Sequence, residues 1–94
     1  MNQYFTRVEL RGEPPVSVYT SLHSKMASAG FSQIVVGANG RNPLPHAVYV
    51  TSSNETVEAI DNTAYAIGRS VWAKGCYCLT IHSINWAGHL EPLA

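Results

Sequence analysis

Imidazole and guanidinium groups are where chemistry would begin in this chain. Cleaving RNA without a metal takes a general base, a general acid and a cation for the charge that builds on phosphorus. The candidates are His23, His82, Arg7 and Arg11. Arg7 and His82 are expected on one open sheet face, because the strands that carry them should be antiparallel neighbours. Phe5 and Tyr49, expected on that face too, are suited to stacking on bases, as sheet-surface aromatics do in RNA-recognition domains. The same surface, Phe5, Arg7, Glu9, Arg11 and Tyr49 with Trp86 from the tail, would equally suit a protein partner or a homodimer. In its plainest form Arg7, Glu9 and Arg11 are cross-strand charge pairs on a solvated sheet.

Other chemistries find less in the chain. Cys76, Cys78 and His82 share one side of an extended strand, but structural zinc sites use cysteine pairs on a turn with a second pair elsewhere. Cysteines two apart on a strand sit about 6 to 7 Å apart at Cα, at the edge of disulfide geometry, so free thiols in a reducing compartment are expected. A metal-dependent nuclease needs clustered carboxylates, whereas Glu9, Glu13, Glu55, Glu58, Asp61 and Glu91 are dispersed. Gly37 to Gly40 leads into a strand and lacks the Lys-Ser/Thr pair of a phosphate-binding loop. No metal and no cofactor are expected.

The elements that would position these residues are readable in order. In Thr6 to Gly12, Thr6, Val8 and Leu10 alternate with Arg7, Glu9 and Arg11. That is a strand with one buried and one charged face, stopped by Gly12, Pro14 and Pro15. Val16 to Ala29 reads as a helix on the spacing of Val18, Tyr19, Leu22 and Met26, with Pro15 at its start and Gly30 past its end. Phe31 to Val36 reads as a second strand and Gly37 to Pro45 as a long hairpin connection. His46 to Thr51 reads as a third strand, with Val48 and Val50 inward and Ala47 and Tyr49 on the open face. Ser52 and Glu55 form a capping box opening a helix over 53–73, whose stripe is Val57, Ile60, Ala64, Ile67 and Val71. Cys76 to Ile84 is the last strand. The expected fold is α+β, a ferredoxin-like βαββαβ domain over residues 1–84 with a four-stranded antiparallel sheet and both helices on one face. Residues 85–94, with Trp86, Leu90 and Leu93, form a tail expected to pack on the domain or on a partner.

Bulk properties narrow the class. The chain has 94 residues, 46% of them hydrophobic, enough for one globular domain and against disorder. Six basic and six acidic residues cancel, which weighs against strong nonspecific attraction to nucleic acid, where phosphate neutralisation supplies most of the affinity. No apolar run approaches the roughly 20 residues that span a bilayer. The first residues lack the basic and apolar regions of a signal peptide, so a cytoplasmic protein with no membrane partner is expected.

Thr6-Arg7-Val8-Glu9-Leu10-Arg11-Gly12, Tyr19 to His23, Met26, Gly30-Phe31-Ser32, Ile34 and Leu44-Pro45 together resemble a family of small phage and mobile-element proteins. These are grouped with the GhoS-type antitoxins of type V toxin–antitoxin systems, and the resemblance runs from about Tyr4 to Ser83. It implies a ferredoxin-like endoribonuclease that cleaves the messenger of a membrane toxin. The family's first helix carries an arginine tied to RNA cleavage; His23 occupies that place. Leu10 stands where nuclease relatives have an acid near the exit of the first strand. The other class of function is a non-catalytic, phage-encoded inhibitor of a bacterial defence complex, anti-CRISPR-like, acting by protein–protein binding.

Overall fold

Alternation in the first strand sets the architecture. In the computed structural model, which describes residues 1–90, β1 (Asn2–Leu10) buries Tyr4, Thr6, Val8 and Leu10 and turns Arg7 and Glu9 to solvent. It is the middle of a three-stranded antiparallel sheet, flanked by β4 (Val48–Ser53) and β5 (Cys76–Ser83). Helices α1 (Val16–Ser28) and α2 (Val57–Val71) supply Leu22, Met26, Ile60 and Ala64 to the core over that buried face. The chain is thus α+β, with two helices over one side of a sheet.

The helix limits fall within two residues of those the sequence implies, with one exception. Gly30 closes α1 in a left-handed conformation, φ 91°. Its N–H donates to the Ala27 carbonyl at 3.0 Å, and the Phe31 N–H donates to Met26 at 2.9 Å. This is a Schellman arrangement that needs a residue free of Cβ strain. The exception is the start of α2. Its N-cap is Thr56, whose hydroxyl accepts from the Ala59 N–H at 3.1 Å; the Ser52/Glu55 box does not form. Ser52 and Ser53 are still in β4, paired with Gln3 and Asn2, so the helix cannot begin until the ladder ends.

The expected four-stranded sheet is not present as such. Phe31 is drawn into the core and Ser32 makes a single bridge to Val50, with both backbone bonds at 2.8 Å. The chain then leaves the sheet as a separate hairpin of β2 (Ile34–Gly37) and β3 (Gly40–Pro43), where a plain connection was expected. Asn42 braces its turn, donating from Nδ2 to the Asn39 side chain and the Gly40 carbonyl, both at 2.9 Å. In the tail, Trp86 meets Phe5 edge-on with ring centres 5.9 Å apart. It also lies against Gly37, where an added Cβ would come within 3.2 Å of the indole. The tail therefore links the hairpin to part of the open sheet face. Glu91 and Leu93 lie outside the described residues.

Candidate functional site

Tyr19 and His23 are four residues apart in α1 and so project from one side of it. Beneath them comes Tyr49, and here β4 departs from expectation. Tyr49 pairs with Thr6 while Val48 and Val50 pair with Arg7 and Phe5. Side chains directly opposed in an antiparallel ladder share a face, so Tyr49 is on the helix side, fully buried, and Val48 and Val50 are on the open side. The inward placement of the valines followed hydropathy, but tyrosine is buried readily when its hydroxyl finds a partner. That partner is Nδ1 of His23.

His46 completes the group from the turn before β4. The Val48 N–H donates to the Pro45 carbonyl at 3.0 Å, which puts His46 and Ala47 at the turn's two central positions. Ala47 has φ 62° while His46 is not left-handed, the pattern of a type II turn. A non-glycine residue there carries about 1–2 kcal/mol of strain. The Val8 N–H holds the Ala47 carbonyl at 3.0 Å, so the turn is anchored to the central strand.

Four rings thus converge. His46 lies 4.5 Å from Tyr19 and 5.9 Å from His23 between ring centres. His23 lies 6.2 Å from Tyr19 and 5.8 Å from Tyr49. Burial, reinforced by His46, lowers the His23 pKa below the ordinary imidazole value; burial, with Tyr19 beside it, raises that of Tyr49. Near neutral pH His23 is an uncharged imidazole on a neutral phenol. When Nδ1–H donates to Tyr49, Nε2 keeps its lone pair and can take a proton. His46 is exposed and Tyr19 half-buried. The Tyr19 hydroxyl accepts from the Leu10 N–H at 3.2 Å, leaving its own hydrogen for another acceptor.

Of the residues singled out from sequence, His23 is in this group and Tyr49 joins it from the buried side. Arg7 and His82 do not share a face. His82 pairs with Tyr4 on the helix side of the sheet, 5.2 Å between ring centres, whereas Arg7 opposes Leu79 on the open side. Arg7 approaches Glu9 at 3.8 Å along its own strand, with both side chains more than half exposed, a contact worth little. Opposite Arg7 and Glu9 stand Leu79 and Tyr77 rather than opposite charges, and Arg11 lies over the Tyr77 ring at 5.4 Å. Tyr19 and His46 were missed. Tyr19 reads as core by spacing, although its separation of four from His23 was a usable sign. Nothing local marks His46, because its place depends on a turn conformation that alanine rarely adopts.

Cys76 and Cys78 are free and face the helix side. Burial raises both thiol pKa values, Cys78 to about 12, so neither is a ready nucleophile. Among the described residues no three His, Cys, Asp or Glu side chains converge as metal ligands, and no helix is long and apolar enough to cross a membrane. Comparison with protein-family models, with curated proteins and with solved structures gave no match to this chain.

Proposed function

We propose that this chain is a small regulatory protein acting on RNA, a ferredoxin-like relative of GhoS-type antitoxins that cleaves its substrate without a metal at the His23–His46 pair. The observation that carries this reading is the pairing itself: an uncharged imidazole oriented by a buried phenol, 5.9 Å between ring centres from an exposed imidazole. In the step envisaged, Nε2 of His23 takes the proton of a ribose 2′-hydroxyl as that oxygen bonds to phosphorus. The P–O5′ bond breaks, and protonated His46 gives its proton to the leaving 5′ oxygen. The products are a 2′,3′-cyclic phosphate and a 5′-hydroxyl, and a second proton exchange resets the two rings. In this reading the Tyr19 hydroxyl, which accepts from the Leu10 N–H, gives its own hydrogen to a phosphoryl oxygen.

The test is cleavage of a labelled single-stranded RNA by purified protein in excess EDTA. Cyclic phosphate ends are expected, with no cutting where the 2′-hydroxyl is absent. H23A and H46A, purified in parallel, should each lose about 100-fold or more in rate, the usual scale of a lost acid or base. Cleavage that persists in both variants would place the activity elsewhere. No cleavage by the parent chain would leave the second reading, a non-catalytic inhibitor that binds a bacterial defence complex. What favours that reading is where the cations expected to serve phosphate lie: Arg7 and Arg11 are beside Glu9 and Tyr77 on the open face, not on the helix side with the four rings.

A further inference from the structure

Strand β5 is an outer strand of the sheet, and among the described residues no strand pairs with its free side. From Cys76 to Ser83 it carries no Lys, Arg, Asp, Glu or proline, the devices by which edge strands avoid pairing. Tyr77, Leu79 and Ile81 alternate on the open face, 61%, 70% and 54% exposed. Above the same edge runs one side of α2. Its Asp61 accepts from the Thr80 hydroxyl at 2.7 Å, and the carbonyl of Tyr65 accepts from the Cys76 thiol at 3.7 Å. Between the two elements lies an open groove of about 230 Å³, lined in part by Glu58, Asp61, Cys78 and Leu79. This side of α2 is acidic in its first turn, at Glu58, and basic in its last, at Arg69.

We infer that the free edge of β5 pairs antiparallel with β5 of a second copy of this chain, joining two three-stranded sheets into one about a two-fold axis at Leu79. An axis perpendicular to the sheet keeps both helix layers on one side, so residues on the same face must oppose each other. Centring on Leu79 sets it against Leu79 of the partner subunit and sets Tyr77 against the partner's Ile81. Every apolar residue of the open row then meets another. Centring on Thr80 would set Tyr77 against the partner's Ser83 and draw two copies of Asp61 together. In the Leu79 register the two α2 helices run antiparallel beside the axis, and Glu58 approaches the partner's Arg69. A stable interface buries about 1,200 Å² or more, beyond what one strand edge offers, so the helix stripe is part of the contact. A chain of zero net charge sets up no overall repulsion against its own copy.

Light scattering on the eluting protein tests this, and a mass twice that of the 10.2 kDa chain is expected. L79K should give the monomer mass with an unchanged circular dichroism spectrum, since Leu79 is mostly exposed. The register is read separately by oxidation. L79C should cross-link to its own copy, while Y77C, opposite the partner's Ile81, should cross-link no more than the parent chain with its native thiols. A monomer at all concentrations would overturn the inference, as would a dimer that survives L79K. Equal cross-linking of Y77C and L79C would overturn the register.

Discussion

His23 is the residue whose surroundings decide the most. A histidine with its pKa held down in the folded state binds fewer protons than it does unfolded. Folding stability is therefore fully present above the ordinary imidazole value near 6.5, and is lost as pH falls through the lowered folded value. NMR titration of the ring protons should show His23 below that value. H46Q should raise it, because one cause of the depression is the second imidazole. An unchanged His23 titration in H46Q would mean that burial alone sets it. The acid-side loss of stability should likewise shrink in H23Q, readable from thermal melts between pH 7 and pH 5. At this scale the sequence was only partly legible. His23 stood out as an imidazole on a helix, whereas the residues it contacts, Tyr49 and His46, were hidden by an inverted strand phase and an unexpected left-handed alanine.

Element positions follow from one close approach. Gly68 in α2 faces Cys76 and Val8. A Cβ added there would stand 2.5 Å from the Cys76 sulfur and 3.1 Å from a Val8 methyl, so α2 lies as near the sheet as a glycine permits. G68A should destabilise the fold by about 1–3 kcal/mol, the usual range for overpacking. The G68A/C76A double variant should recover part of that loss in urea melts, since the sulfur is the nearest obstacle. Purely additive losses would show that helix and sheet simply move apart. Most helix limits were readable because they have a local cause, such as Gly30 or the Val57 to Val71 stripe. The start of α2 was misplaced by a few residues because the cap depends on where β4 releases Ser53, a tertiary matter. The departure of β2 from the sheet was likewise invisible, since Phe31 to Val36 is equally apt for a sheet strand and for a hairpin arm.

Across the whole molecule, the open sheet face is divided between two uses. Trp86 ties the hairpin to the Phe5 end, while the β5 side keeps Leu79 and Ile81 exposed. W86A should accelerate amide exchange in Ile34–Pro43 by about tenfold, equivalent to roughly 1.4 kcal/mol of local opening, and leave the β1–β5 ladder protected. Uniformly faster exchange would instead make the tail part of the global unfolding unit. That the chain is α+β was readable from the order and periodicity of its elements; the three-stranded sheet with its separate hairpin and the division of this face were not, because they depend on contacts between segments far apart in the chain.

The place of β1 in the sheet also bears on how the protein is made. Of the three strands in this sheet β1 is made first, and it lies between two that come much later, with Gln3 paired to Ser52 on one side and Ser83 on the other. Until β4 emerges, its apolar face, Tyr4, Val8 and Leu10, has neither lateral partner, and until β5 follows β1 is paired on one side alone. The sheet can close only when β5 has cleared the exit tunnel, so nascent chains stopped before that point should be substrates for chaperones and proteases.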